Sequence, residues 1–139
     1  MCSFGDASVN HSTAQGAFNS ALWSVRQGAP LPLLFVCEDN AIGISTKTPK
    51  NWVRDQFEGR SGLAYFPCNG LDLFDTYTAS LKAAHYVRSQ KKPAFLHMSC
   101  VRLYGHAGAD MPQAYLSDDE ITAIENDDPL LQRAAIMAF

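Results

Sequence analysis

Asp6 and Asn40 are the two side chains of this 139-residue sequence whose placement points most directly to chemistry. Asp6 stands in Phe4-Gly5-Asp6-Ala7-Ser8, and Asn40 closes Leu33-Leu34-Phe35-Val36-Cys37-Glu38-Asp39-Asn40. Each ends an apolar run, and one helix-sized segment separates them. Parallel strands joined by a helix deliver their carboxyl ends to the same sheet edge, where ligands of such sheets collect. A carboxylate beside a carboxamide offers two hard oxygens, which suit Mg2+ holding a diphosphate. Asp and Asn are also common turn residues at strand ends, so the pair alone leaves that plainer reading open.

A third cluster lies in Val101-Arg102-Leu103-Tyr104-Gly105-His106-Ala107-Gly108-Ala109-Asp110. His106 sits in a glycine-flanked loop just beyond an apolar run, a setting for a side chain that donates to a phosphate or touches a substrate. Arg102 is suited to organising that loop, with Asp110 as its ion-pair partner. His85 and His97 read as a helix-face histidine and a strand histidine with a satisfied hydrogen bond, and His11 fits either the site or helix packing. Asp72 reads as a helix cap. No second carboxylate cluster stands at a matching strand end, which weakens a phosphatase or metal-hydrolase reading of Asp6.

The elements that must position these residues alternate along the chain. Met1 to Phe4 reads as the tail of a strand. Ser12 to Gln15 fits a capping box, followed by Ala14, Phe18, Ala21, Leu22 and Val25 at helical spacing, with Gly28 ending the helix. Leu33 to Cys37 is a continuous apolar run, the pattern of a central strand covered on both faces. Thr46 to Gly62 lacks a period and reads as an excursion with one helical turn. Leu63 to Pro67 is the next strand; Asn69-Gly70 turns the chain, and Asp72 caps a helix with Phe74, Tyr77, Leu81, Ala84 and His85 as its apolar side. Lys91-Lys92-Pro93 stops that helix, Ala94 to Val101 is a strand, Ser117 to Glu120 a second capping box, and Asp128-Pro129 opens the last helix. This alternation predicts an α/β fold: a three-layer, doubly wound, mostly parallel sheet with helices on both faces, in one domain over 1–139.

Size and composition are consistent with one core-forming domain: 47% of residues are hydrophobic and 18% charged. A net charge of -3 supplies no basic footprint for nucleic acid. No apolar stretch reaches the roughly 18 residues of a spanning helix, and the start resembles no signal peptide, so the expectation is a cytoplasmic chain without membrane contact. The four cysteines, Cys2, Cys37, Cys68 and Cys100, lack metal-binding spacing. Three of them fall in runs read as strands and Cys68 just after one; free thiols are the expectation.

Three blocks in order carry a family resemblance. Gly5-Asp6, then roughly thirty residues and a strand ending Glu38-Asp39-Asn40, resembles the signature of thiamine-diphosphate enzymes. The continuation Asn40-Ala41-Ile42-Gly43-Ile44-Ser45-Thr46 and the loop from Arg102 through Gly105-His106 to Asp110 are similar to the alpha-type chain of decarboxylating 2-oxoacid dehydrogenases, of pyruvate or branched-chain type. The resemblance implies Mg2+ held by Asp6, Asn40 and the backbone carbonyl of Ile42. It further implies thiamine diphosphate contacted by Gly5, Asp6, Ala7, Ser8, Asn40, Ile42 and His106, the last as the catalytic-site residue. Most relatives have Gly where this chain has Ala7, which demands a conformation there that tolerates a Cβ. Ala107 stands where many relatives carry a phosphorylated serine, so control by that modification is not expected.

By the same resemblance, the chain takes part in oxidative decarboxylation of a 2-oxoacid with acyl transfer to the lipoyl group of an acyltransferase component. A beta-type chain or a separate pyrimidine-binding domain is then the partner, in a homo- or hetero-oligomer. The chain is expected to be an N-terminally truncated piece of a larger enzyme, inactive by itself. Two readings remain beside this one: a transketolase-type thiamine-diphosphate enzyme, which Glu38 and the His106 loop disfavour, and a non-catalytic assembly module.

Overall fold

A computed structural model describes residues 1–137; residues 138 and 139, the end of the expected domain, lie outside the described residues. The first half runs β1 (Cys2–Gly5), a 3-10 turn (Asp6–Asn10), α1 (Ser12–Arg26), β2 (Leu34–Asp39), β3 (Ile42–Gly43), β4 (Thr46–Lys47) and α2 (Trp52–Phe57). The second half runs β5 (Ala64–Asn69), α3 (Leu73–Gln90), β6 (Ala94–Ser99), a short 3-10 turn (Pro112–Ala114), α4 (Asp118–Asn126) and α5 (Pro129–Met137). Strands β1, β2, β6 and β5 form one sheet in that order, every neighbouring pair parallel, with β3 and β4 as a separate antiparallel hairpin.

Alternation along the strands builds the three layers. Phe35 and Cys37 of β2 and Phe95 of β6 face a cluster with Phe18 and Ala21 of α1 and Val53 and Phe57 of α2. Val36 and Leu96, one residue out of phase, meet Ala79 of α3 on the other face. The expected doubly wound parallel sheet with helices on both faces is therefore the fold, and the run from Leu33 does form an inner strand.

Packing, not propensity, holds α2. Six residues are too few for a helix to persist by itself, but Val53 and Phe57 are wholly buried, and the Phe57 ring stacks on Phe95 with centroids 4.1 Å apart. Burial of such a side chain contributes roughly 1.5–3 kcal/mol, and the aromatic pairing about 0.5–1.5 kcal/mol more.

Several local signals act as expected. Gly28 (φ 82°) ends α1: its N–H reaches the Val25 carbonyl and the Ala29 N–H the Ser24 carbonyl, the paired bonds of a Schellman ending. Asp72 caps α3 through the amides of Phe74 and Asp75, and Ser117 and Glu120 form a reciprocal capping box on α4.

Other expectations are corrected. The cap of α1 is His11, whose Nδ1 accepts the Thr13 amide; Ser12 is already helical and no capping box forms there. Cys68 lies inside β5, whereas Cys100 falls just past β6, so the two exchange their expected places. The buried side of α3 is Ala79, Ala83 and Val87; Phe74, Tyr77 and Leu81, expected to face the core, are 71%, 62% and 53% exposed. Small residues let α3 lie close against the sheet, which turns its larger apolar residues outward.

Candidate functional site

Register brings the two strand ends together. Gly5 pairs opposite Glu38, so β1 and β2 finish at the same edge, with Asp6 one residue past the first strand and Asn40 one past the second. The 3-10 turn and the β3–β4 hairpin then lean on each other: a Cβ placed on Gly43 would stand 2.5 Å from that of Ala7, so only glycine allows this approach. Between them opens a cleft of about 480 Å³ lined by Gly5, Asp6, Ala7, Ser8, Asn40, Ile42, Gly43 and Ile44, with Arg102 and His106 also on its lining. Gly5, Asp6, Ala7, Ser8, Asn40, Ile42 and His106, the residues that the resemblance assigns to the cation and cofactor, all line this one cleft.

Asp6 is the one charged side chain buried among the described residues, at 2% exposure, and it accepts a hydrogen bond from the Thr48 hydroxyl. No basic side chain pairs with it among the described residues. A buried carboxylate without a counter-charge is costly, and a cation from solution is the direct remedy. Asn40 Oδ1 accepts the Ile42 amide at 3.2 Å, which leaves a second lone pair free to face the cleft. No three His, Cys, Asp or Glu side chains cluster as a metal site among the described residues. The donors at hand are carboxylate, amide and carbonyl oxygens, the hard set of Mg2+ and not the nitrogen and sulfur set of zinc.

Ala7 stays out of the left-handed region, so its Cβ introduces no backbone strain. It and Ser8 belong to the 3-10 turn that precedes α1. The left-handed residues of the site are Ala41 (φ 61°) and Ile44 (φ 55°), which bracket the hairpin strand β3. For a β-branched residue such as Ile44 this conformation is strained, a state that persists where surrounding structure imposes it.

The His106 loop is fixed by a network one step removed from the cleft. The His106 amide donates to Asp110 Oδ2 at 2.6 Å, and the Tyr115 hydroxyl donates to the same oxygen at 2.8 Å. Arg102 Nη2 donates to the Tyr115 oxygen at 2.7 Å, lies 3.8 Å from Asp110, and carries its guanidinium 5.9 Å from the Tyr115 ring centroid. The His106 amide, then the Tyr115 hydroxyl, hold the Asp110 carboxyl below its usual range. Arg102 thus organises the loop as expected, chiefly through Tyr115, while also reaching the cleft. The His106 side chain remains exposed and free to meet a ligand.

The remaining candidates are structural. Asp72 is a cap and His11 a cap. All four cysteines are free, and burial pushes the Cys68 and Cys100 thiols up to about 11 and Cys37 higher still, so these three stay protonated and unreactive. Sequence reasoning missed Thr48, Gly43 and the partners of His97. The Gly43 and Thr48 contacts are long-range, and nothing local to either residue announces them. Among the described residues no helix is long and apolar enough to cross a membrane.

Comparison with known proteins bears on the chain as a whole. The profile of the family described as Dehydrogenase E1 component matches residues 1–137. The pyruvate dehydrogenase E1 component subunit alpha of Rickettsia conorii is 33% identical over 131 residues, covering 91% of this chain and 38% of that protein. The namesake from Zymomonas mobilis is 31% identical over 132 residues, covering 91% and 35%. A human testis-specific mitochondrial form of the same subunit is 29% identical over 131 residues, covering 92% and 32%. The chain spans about a third of the length of these curated relatives.

Proposed function

Because the chain belongs to the dehydrogenase E1 component family, we propose that its cleft is the Mg2+ and diphosphate end of a thiamine-diphosphate site in a decarboxylating 2-oxoacid dehydrogenase. The observation that carries this reading is Asp6, a buried carboxylate without a basic partner among the described residues, which shares its cleft with Asn40, Ile42 and His106. Asp6 and Asn40 would give side-chain oxygens to the cation and Ile42 its carbonyl, a hard oxygen set that suits Mg2+. Gly5, Ala7 and Ser8 would contact the diphosphate, and His106, which lines the same cleft, would donate to it. Thiamine diphosphate, when bound, supplies the electron sink for loss of carbon dioxide from the 2-oxoacid. The chain's own work would be to neutralise and hold the diphosphate.

The substrate in this reading is a 2-oxoacid, pyruvate first, since the relatives carry that name. The partners are a beta-type chain, or a pyrimidine-binding domain, and a lipoyl acyltransferase that accepts the acyl group. The outward row of Phe74, Tyr77 and Leu81 supports burial against another polypeptide. Asp6 is the only acid lining the cleft among the described residues, and with its carboxylate committed to the cation the 139 residues taken alone do not turn over substrate. Release of carbon dioxide from pyruvate or a branched 2-oxoacid by that isolated chain would contradict this.

Calorimetry on the full assembly tests the site. With Mg2+ and thiamine diphosphate, Asp6→Ala is expected to weaken Mg2+-dependent binding by more than about a hundredfold, beyond the effect of losing a group that merely supports a ligand. The circular dichroism spectrum is expected to remain unchanged. Unaltered affinity would count against the assignment.

A further inference from the structure

His97 lies in the middle of the sheet, on β6, and its ring joins two residues that are far apart in sequence. Nε2 stands 2.8 Å from Asp39 Oδ2, and Nδ1 stands 2.5 Å from the Tyr65 hydroxyl. The polarity of this chain is fixed by what each group can do. A carboxylate only accepts, so Nε2 donates to Asp39; in the neutral ring Nδ1 then accepts, and Tyr65 donates. Burial, acting first, pushes the Tyr65 hydroxyl up to about 12, which keeps it a donor. The His97 side chain is 14% exposed and that of Asp39 21%, so water competes weakly for these bonds.

The other oxygen of Asp39 holds the turn that carries the proposed cation donors. Asp39 Oδ1 accepts the Ala41 amide at 3.0 Å, and the Asp39 carbonyl accepts the Cys100 amide at 2.8 Å. Ala41 adopts the left-handed conformation (φ 61°), which a non-glycine residue holds only when its surroundings impose it. Ala41 sits between Asn40 and Ile42, the two residues that give the cation an amide and a carbonyl oxygen. Whatever fixes the Ala41 amide therefore fixes the angle between those two donors.

We propose that His97, clamped between Tyr65 and Asp39, is a positioning residue that holds the Asn40–Ile42 turn in its cation-binding form. The claim rests on the Mg2+ reading of the cleft but invokes residues outside it: neither His97, Tyr65 nor Asp39 lines the cleft. A ring that merely filled space would be replaceable by any side chain of its size. A positioning role requires the donor to Asp39. Gln can supply that donor from nearly the same point, and Leu cannot.

The experiment compares His97→Leu and His97→Gln in the full assembly by two readouts. The first is hydrogen exchange of the Ala41 amide in the metal-free protein, which does not depend on the cofactor. The second is Mg2+ half-saturation at fixed thiamine diphosphate, set against cofactor affinity at saturating Mg2+. His97→Leu is expected to speed Ala41 exchange and raise Mg2+ half-saturation by about tenfold each, equivalent to about 1.4 kcal/mol. Cofactor affinity at saturating Mg2+ is expected to change less than about twofold, and His97→Gln to lie within about threefold of the parent throughout. Tyr65→Phe, which loses one hydroxyl, is expected to move both readouts by about threefold and serves if the Leu variant does not fold. Unchanged Ala41 exchange in the Leu and Phe variants would overturn the proposal, as would a folded Gln variant that behaves like Leu. Asp6→Ala separates the two claims: if it leaves Mg2+ half-saturation unchanged, the cation reading fails, while Ala41 exchange still reports on His97.

Discussion

Moving one methyl group across the mouth of the cleft tests the packing that forms it. In Gly43→Ala the new Cβ would meet the Ala7 Cβ at 2.5 Å, and both atoms are bound directly to backbone. Carbon atoms rest at about 3.5–4.0 Å, so β3 must retreat from the 3-10 turn by about 1 Å. Gly43 does not occupy the left-handed region, so the penalty comes from contact and not from torsion. Overpacking of this kind costs about 1–3 kcal/mol, and the retreat carries Ile42 away from Asp6. Ala7→Gly in the same chain removes the obstructing methyl; the next atoms a residue-43 Cβ meets, Ala7 Cα and the Thr46 carbonyl oxygen, lie at 3.9 Å, ordinary contact. The double variant is then expected to lose only the roughly 0.5–1 kcal/mol of the added glycine. Urea denaturation of the two single variants and the double variant gives the coupling energy, and calorimetry with Mg2+ and thiamine diphosphate follows the site. Equal stability of Gly43→Ala and the parent, or a double variant no better than Gly43→Ala, would refute the close approach and the cleft built on it.

Two further outcomes follow from the network geometry and from burial. Burial, assisted by Glu58, raises the Tyr65 hydroxyl to about 12, above the roughly 10 of an unfolded chain. Its stabilising contribution is complete below pH 10 and is lost as pH rises from about 10 to 12, because the unfolded state ionises first. The melting temperature of the parent is expected to fall more steeply over that interval than that of Tyr65→Phe; parallel curves would contradict the buried, protonated hydroxyl. Tyr115→Phe removes the hydroxyl that joins Arg102 to Asp110. Proteolytic cleavage within 104–111 is expected to accelerate severalfold with little change in melting temperature, and an unchanged cleavage rate would mean that the loop is fixed by other contacts.

What the sequence disclosed and what it concealed divide along a physical line. Gly28, Asp72 and the Ser117–Glu120 box work through bonds to amides and carbonyls a few residues away, so their meaning is local and readable. The inner strand was readable for a related reason, since a sheet covered on both faces requires an unbroken apolar run. The buried face of α3 was not readable, because the choice between Ala79-Ala83-Val87 and Phe74-Tyr77-Leu81 depends on how closely the sheet approaches. Size invites the wrong answer there, and steric room gives the right one. The six-residue α2 showed no period because its two anchors, Val53 and Phe57, span a single turn.

The site shows the same division. Asp6, Asn40 and His106 stood out because each follows an apolar run, and parallel topology then gathers such positions at one edge. Thr48 and His97 did not, since their partners lie 42 and 58 residues away. Whether the hydroxyl at 48 meets a carboxylate, or the ring at 97 meets Asp39, is decided by strand order and register, which the local sequence around either residue does not encode.

The most direct test of the cation site is a crystal structure of the full assembly grown with thiamine diphosphate and with Mn2+ in place of Mg2+. The account predicts one anomalous peak bonded together by an Asp6 carboxylate oxygen, the Asn40 side-chain oxygen and the Ile42 carbonyl oxygen, with diphosphate oxygens on its open side. A cation and diphosphate bound at full occupancy elsewhere, with Asp6 and Asn40 contacting neither, would contradict it.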